Sequence, residues 1–584
     1  LKLGKKAMNT MFKRLNFLLF VCLTGSLGAQ FNYPQDYFDA PLPIPLYLSG
    51  TFGELRSNHF HSGIDIKTNG QEGVPVVAAA DGEVYRIKVS PYGFGNALYI
   101  SHQNGYNTVY AHLQRFHPNI ETYVRKAQYE QERFDVEVFP SRGVFSFKKG
   151  DTIAFSGNSG GSGGPHLHFE IRSARTEKII NPLLFGFDVR DEIYPKLNYL
   201  QVYTYNGSEM LTSEKRRLLK TSEGTYTLSG NEVLTFGDGI AFGLNVYDQL
   251  NGAPNKNGPF RIELTIDGKE EYVFQAETFA FNETRYINSH IDYHLKYCCR
   301  QVVNKLYLEP GNELSLYRDT EKMNIYRPDD DTLHQAVLAV SDVAGNKSLL
   351  SFKLERDKSV DAEHEPDYEE MGSVDLSKFS YRQTNFFKND EVEFILPEGA
   401  LYNDVIFEYT TSAACEGCLS KTYQLSSVGV GIQKYFTLKI KIPENLKGNT
   451  DKLCIVSTKN GRIADFEGAR WDNGFISART RQLGGFALAS DTKAPVLKAV
   501  NAFNGKVLTS QKTLQCKMSD NLSGIKKYRA TIDGRWVLMQ YDAKNSLLTL
   551  DIEKEEIPPG QRSFLLIAED KLGNESRLNL SLTF

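Results

Sequence analysis

The stretch from Gly157 to Arg172 concentrates residues that could do chemistry. It reads Gly-Asn-Ser-Gly-Gly-Ser-Gly-Gly-Pro-His-Leu-His-Phe-Glu-Ile-Arg, a glycine-rich turn running into His166-Leu167-His168 and then Phe169-Glu170-Ile171. The second half alternates and carries β-branched and aromatic residues, so it reads as a strand. Successive strand side chains point to opposite faces, which puts His166 and His168 on one face and Leu167 and Phe169 on the other. Two imidazoles side by side suit a metal ligand next to a proton-transfer group. Far upstream, His61-Ser62-Gly63-Ile64-Asp65 adds an imidazole and a carboxylate. A catalytic zinc takes three ligands of the His, Asp or Glu kind and keeps a fourth position for water. His61, Asp65 and one of His166 and His168 make such a set, and spacing alone leaves open which of the two it is. Between the fragments, Thr108-Val109-Tyr110-Ala111-His112-Leu113 is a strand-like run that delivers a further imidazole.

Taken in order, His61-x-x-x-Asp65, Tyr110-Ala111-His112-Leu113 and Gly164-Pro165-His166-Leu167-His168-Phe169-Glu170 resemble the lysostaphin-type zinc endopeptidases, which cut peptide bonds in bacterial peptidoglycan. The resemblance covers about residues 40–190. It implies one zinc per chain bound by His61, Asp65 and His168, with His166 and His112 as the catalytic pair and peptidoglycan stem or cross-link peptides as substrate. Zinc lowers the pKa of its bound water towards about 7 and polarises the substrate carbonyl, so the zinc-bound water is the expected nucleophile. His166 is then placed to take or deliver a proton, and His112 to hydrogen-bond the water or the tetrahedral oxyanion; which of them acts as base stays open.

Other motifs read more plainly. The glycine run 157–164 lacks the following Lys-Ser/Thr of a phosphate loop, so close backbone approach is its expected use. His102 is expected to serve packing or orientation of neighbours, and His59 could line the groove. His290-x-x-x-His294 has helical ligand spacing but no third ligand, which favours a surface or capping role. Cys415-Glu-Gly-Cys418 could close a small loop, whereas the adjacent Cys298 and Cys299 are not expected to pair with each other.

The elements that must position these groups are short strands. Val74 to Ala80, the Asp81-Gly82 turn and Glu83 to Ile87 form one candidate hairpin; Ala97 to His102, the Asn104-Gly105 turn and Tyr106 to His112 form another. Lys149-Gly150-Asp151 turns into Thr152 to Phe155. An antiparallel sheet with the site on one face follows. Residues 114–148 insert a polar segment, helix-compatible over Ile120 to Glu132, that could flank the groove. A Pro-rich arm over 30–52 is expected to lie along this domain.

A chain of 584 residues needs several cores. The 12% aromatic share leans towards β structure, and a net charge of −4 offers no basic field for nucleic acid. The expected fold class is mainly β, with the antiparallel zinc peptidase domain that the resemblance implies followed by about three β-sandwich, immunoglobulin-like domains. The expected division is a signal peptide at 1–29, the peptidase domain at 30–190, sandwiches at 196–356, 376–490 and 493–584, and an acidic linker at 357–375. Two of the sandwiches echo each other. Thr265-Ile266-Asp267-Gly268 and later Asp342-Val343-Ala344-Gly345-Asn346 recur as Thr531-Ile532-Asp533-Gly534 and Asp570-Lys571-Leu572-Gly573-Asn574. Lys13-Arg14 followed by apolar Phe17 to Leu27 has the pattern of a cleaved export signal. No other stretch is long and apolar enough to cross a bilayer. The expectation is an exported protein of the periplasm or cell envelope, with a possible envelope partner for the C-terminal β-domains. The competing readings are a catalytically silent scaffold that binds wall or regulates another hydrolase, and a protein whose sandwich domains do the main work through adhesion.

Overall fold

The computed structural model describes residues 32–584 except 208, 231–232, 320–323, 358–374, 427–428 and 449. The expected signal peptide and nearly all of the acidic linker lie outside these residues. The chain is mostly β, with an N-terminal domain followed by several β-sheet units.

The site is carried by one antiparallel sheet. Seven of its ten strands are β1 (Leu48–Gly50), β2 (Ile64–Lys67), β3 (Gly82–Val89), β4 (Asn96–His102), β5 (Tyr106–Leu113), β6 (Val136–Val138) and β7 (His166–Ser173), in the order β1-β2-β7-β5-β4-β3-β6. Alternation fixes what each face carries. Ile64, Ile66, Leu167, Phe169 and Ile171 are fully buried in one core with Leu98, Ile100 and Tyr110. Each such side chain contributes about 1.5–3 kcal/mol on burial. Asp65, His166, His168, Glu170 and Arg172 occupy the intervening positions and so share the opposite face. A one-residue slip of β7 would exchange the two sets, so the apolar side of the strand sets the register of the polar one.

The N-terminal arm lies along this domain as expected: Phe38, Leu42 and Leu46 join its core, and Val77 N donates to Pro41 O at 2.9 Å. The Asn104-Gly105 turn joins β4 to β5, with Gly105 at φ 85°. The Asp81-Gly82 hairpin does not form. Neither residue has the positive φ that a tight two-residue hairpin needs. Pro75–Val77 instead pairs with Thr152–Phe155 in a separate three-stranded sheet. Ala78 completes that pairing by exchanging hydrogen bonds with Gly150 and Asp151. The polar insertion contains a helix, α1 (Pro118–Gln131), which buries Ile120 and Val124 against the same core.

Beyond residue 195 the first β-unit is one continuous ten-stranded sheet rather than two separate ones. The long strand Glu209–Ser222 passes from one half to the other, and both halves bury side chains in a shared core, Phe242 against Phe352 at 5.2 Å. The next unit has a six-stranded and a five-stranded sheet, and the last has two of four strands. The echoed Asp267-Gly268 and Asp533-Gly534 turns both have positive φ at each residue and close antiparallel pairs. Two cysteine expectations resolve differently. Cys415 and Cys418 are bridged, and so are Cys298 and Cys299, contrary to the expectation from their adjacency. The latter pair closes at the last turn of the short helix Tyr293–Cys299, where both side chains are exposed.

Candidate metal centre and active site

Strand pairing brings the distant fragments together. β7 runs beside β2 with His168 directly opposite Asp65, and beside β5 with His168 opposite Ala111. His61 arrives on the turn into β2. That turn passes so close to β7 that a Cβ on Gly63 would lie 2.2 Å from Phe169 O, which restricts the position to glycine. Three atoms converge as a result. His61 Nε2 is 3.0 Å from Asp65 Oδ1 and 3.1 Å from His168 Nδ1, and His168 Nδ1 is 2.9 Å from Asp65 Oδ1.

The surroundings decide what these atoms can be. His61 Nδ1 lies 2.8 Å from Thr51 O, a pure acceptor, so it carries the ring proton and Nε2 presents its lone pair. His168 Nε2 lies 3.1 Å from Glu170 Oε1 and donates to it, which turns the Nδ1 lone pair towards Asp65 and His61. Glu170 is held in turn by Arg172 Nε at 2.7 Å, with both residues buried. Three acceptor atoms therefore face one point, and only a positive charge there relieves them. A proton can supply it: burial opposes the charge on His168, but Asp65 and Glu170 outweigh burial and raise its pKa to about 9. A cation of zinc's size and ligand preference fits the same donor set, two imidazole nitrogens and one carboxylate oxygen. The hydrogen bonds from the outer ring nitrogens to Thr51 O and Glu170 are the orienting contacts such ligands need. Burial raises the pKa of Asp65, but His61, His166 and His168 together hold it well below the ordinary carboxylate range. Asp65 Oδ2 is 3.2 Å from Arg56 Nη2, which leaves Oδ1 to the cluster.

The other two imidazoles sit at the rim. His166 Nδ1 donates to Gly164 O at 2.8 Å, and its Nε2 lies 3.4 Å from Asp65 Oδ1. His112 Nδ1 donates to Ser159 O at 2.9 Å, and the two rings are 4.8 Å apart. His112 occupies an unusual backbone position, φ 59°, where β5 carries an extra residue against β4. A bulge of this kind re-aims a side chain out of regular alternation. Burial, together with His168 and His166, lowers the His112 pKa to about 3, which keeps it a neutral acceptor. The glycine loop contributes packing as well as access. Gly160, at φ 69°, lies against the backbone of Gly93 and Gly95, whereas Gly163 and Gly164 face open space.

His61, Asp65, His112, His166 and His168 are thus together, and the other histidines among the described residues are elsewhere. His102 bonds Asp81 O and Thr108 Oγ1 inside the domain. His59 is exposed and contacts Ser57 O. His290 corrects the expected surface role. It is buried between Phe60 and Phe274 and bonded to Tyr317 and Asn304, while His294 lies exposed on a different helix. The roles of Glu170 and Arg172 were not read from the sequence, although alternation places both on the His168 face. Thr51, whose backbone orients His61, and Phe94, stacked on His168 at 5.1 Å, carry no sequence signal of their own. The last β-unit reaches this rim: Lys544 Nζ donates to Asn158 O and, at 3.2 Å, to Ser162 O.

Residues 59–129 match peptidase family M23, and residues 377–491 match the Zu5-like domain. The chain therefore carries an M23 peptidase domain. Among curated proteins it is 36% identical over 118 residues to the DD-carboxypeptidase/endopeptidase Mpg of Neisseria meningitidis serogroup B, an alignment covering 20% of this chain and 21% of that protein. It is 34% identical over 111 residues to the peptidoglycan DD-endopeptidase ShyB of Vibrio cholerae serotype O1, covering 19% and 20%. The chain thus spans about a fifth of the length of the curated relatives it matches. The catalytic domain of lysostaphin from Staphylococcus simulans aligns at 23% identity over 24% of this chain and 92% of that one, with a TM-score of 0.18.

Proposed function

We propose that the protein is an exported, zinc-dependent endopeptidase that hydrolyses peptide bonds in peptidoglycan stem or cross-link peptides. The observation that carries this reading is the meeting of His61 Nε2, His168 Nδ1 and Asp65 Oδ1 within 3.1 Å, the two imidazoles turned lone pair inward by Thr51 O and Glu170. His61, Asp65 and His168 would hold the ion. Bound there, zinc supplies Lewis acidity, which polarises a carbonyl and acidifies water.

The chain's own groups handle the proton. His166 and His112 each direct Nδ1–H to a backbone carbonyl, so in the neutral form of either ring Nε2 is the basic nitrogen. A proton leaving water can be held on one of these nitrogens and returned to the departing amine. The other can hydrogen-bond the developing oxyanion. Substrate chemistry follows the M23 match and the printed activities of the relatives. Export follows from a substrate that lies outside the cytoplasm; among the described residues no helix is long and apolar enough to cross a membrane.

The experiment is digestion of purified muropeptides by the purified protein, read by mass spectrometry beside a chelated control. Zinc-dependent appearance of a cleaved amide supports the proposal and names the scissile bond. Intact muropeptides with a zinc-loaded protein would favour the silent wall-binding scaffold.

A further inference from the structure

Six aspartates outside the candidate metal centre form two clusters that repeat one design. In the first, carboxylate oxygens of Asp191, Asp248 and Asp342 lie within 4.8 Å of one another; in the second, so do those of Asp491, Asp520 and Asp570. The positions correspond. Asp191 and Asp491 each open an Asp-x-x-x-Pro segment that leads into the first strand of a β-unit, Lys196–Asn206 or Val496–Ala499. Asp248 and Asp520 each directly follow a strand, Gly239–Tyr247 or Thr513–Ser519. Asp342 and Asp570 each begin the echoed Asp-x-x-Gly-Asn turn.

That turn is built the same way twice. Asp342 Oδ1 accepts from Asn346 N at 2.9 Å, and Asn346 Nδ2 donates to Asp342 Oδ2 at 2.8 Å and to Asp191 O at 3.3 Å. Asp570 Oδ1 accepts from Asn574 N at 2.9 Å, and Asn574 Nδ2 donates to Asp570 Oδ2 at 2.6 Å and to Asp491 O at 3.0 Å. The construction fixes two carboxylates on opposite sides of a junction and brings the third against them.

The third carboxylate in each cluster is left short of partners. Asp248 is only 4% exposed, yet its Oδ1 is buried without a hydrogen-bond partner. Asp520 is half-buried and its Oδ2 accepts from Leu522 N at 3.1 Å and Gly524 N at 2.8 Å, but its Oδ1 is buried and unpartnered. So is the Oγ of Ser523, a residue 1% exposed whose N donates to Asp491 Oδ2 at 3.0 Å. Asp191, Asp248 and Asp342 line a cavity of about 160 Å3 together with Thr51, whose Oγ1 is also buried and unpartnered. Burial, then the charges of Asp191 and Asp342, push Asp248 up to about 8. Buried carboxylates are normally paired or coordinate a metal. An all-oxygen donor set of carboxylates, joined in the first cluster by the Thr51 hydroxyl on the same cavity, suits a hard cation that accepts six to eight ligands in irregular geometry, which is Ca2+ rather than zinc.

We propose that the chain carries two structural Ca2+ sites, one formed by Asp191, Asp248 and Asp342 and one by Asp491, Asp520 and Asp570, each clamping a β-unit to the segment that precedes it. The proposal does not depend on the zinc reading. Each ion would tie the entry segment to two loops of the following unit and so fix the angle at which that unit leaves its neighbour.

The test uses the full chain, stripped of metal, reloaded with one equivalent of zinc and titrated with CaCl2 by calorimetry in the presence of 1 mM Mg2+ as competitor. Thermal unfolding is followed in parallel. Two Ca2+ per chain and a Ca2+-dependent rise in melting temperature are expected. Asp248→Asn should abolish one binding event and Asp520→Asn the other, each variant keeping the remaining site as proof that it has folded. The opposite view makes a distinct forecast. If the clusters bind nothing, each substitution relieves carboxylate repulsion, and both variants melt above the wild type with no response to Ca2+. That result overturns the proposal, as would two Ca2+ retained by both variants. Equal occupancy by Mg2+ overturns the calcium assignment.

Discussion

Replacing Glu170 by glutamine separates orientation of a metal ligand from stability of the fold. Glu170 is fully buried and uses one oxygen on His168 Nε2 at 3.1 Å and the other on Arg172 Nε at 2.7 Å. An amide has a single acceptor oxygen. If that oxygen stays with His168, the NH2 group meets the Arg172 guanidinium; if it turns to Arg172, His168 loses the acceptor that directs its Nδ1 lone pair inward. Breaking a buried charge pair by neutralising one partner costs roughly 3–5 kcal/mol. Loss of a carboxylate behind a metal-bound imidazole weakens metal affinity by about 10–100-fold, which is about 1.4–2.7 kcal/mol. Urea unfolding should report the first quantity and competition with a fluorescent zinc chelator the second. The double variant Glu170→Gln/Arg172→Met should recover much of the stability, since the uncompensated guanidinium is gone, and only part of the zinc affinity, since the amide oxygen is then free to accept from His168 Nε2 but the carboxylate charge stays lost. Wild-type zinc affinity in the single variant would refute the reasoning, because it would mean that Glu170 does not set the orientation of His168.

Four further outcomes follow from the same geometry. His166→Ala should keep one zinc per chain and lose about 100-fold or more in muropeptide cleavage, the scale of a lost general acid or base; activity within a factor of three of wild type would remove His166 from the chemistry. Gly63→Ala forces a Cβ to within 2.2 Å of Phe169 O, so the His61–Asp65 turn must shift, and both zinc content and melting temperature should fall. His290 is lowered from 6.5 to about 3 by burial, so the unfolded chain binds the extra proton and His290 contributes stability that is complete above pH 6.5 and is lost as pH falls towards 3. Between pH 7.5 and pH 5 this amounts to roughly 2 kcal/mol, which urea titrations should show in the wild type and not in His290→Gln; equal slopes would reject it. Glu555 is buried against α1, 2.7 Å from Arg125 and bonded to Tyr129. Glu555→Ala should therefore speed amide exchange over residues 118–131, and unchanged protection would show that this contact does not hold the last β-unit on the helix.

Alternation made the central strand legible. Leu167, Phe169 and Ile171 dictate which way β7 faces, and the facing of His166 and His168 follows. The partners of those histidines were less legible for separate physical reasons. His112 reaches the rim through a bulge and a left-handed backbone position, neither of which has a residue signature here. Asp81-Gly82 has hairpin composition, but the preceding run, Pro75–Val77, pairs with the distant Thr152–Phe155, and the non-local pairing wins. His290 sits in a polar, helix-like stretch, and only the stacking of Phe60 and Phe274 around it shows that it is core. The echoed Asp-x-x-Gly-Asn turns were visible as repeats, whereas their meeting with Asp191 and Asp491 is a property of the folded junctions.

The central claim is that one zinc is held by His61, Asp65 and His168. Anomalous diffraction at the zinc edge from crystals of the purified protein tests it most directly. The account predicts a single peak about 2.0–2.2 Å from His61 Nε2, His168 Nδ1 and Asp65 Oδ1. A peak at any other set of ligands, or none in crystals grown with zinc, contradicts it.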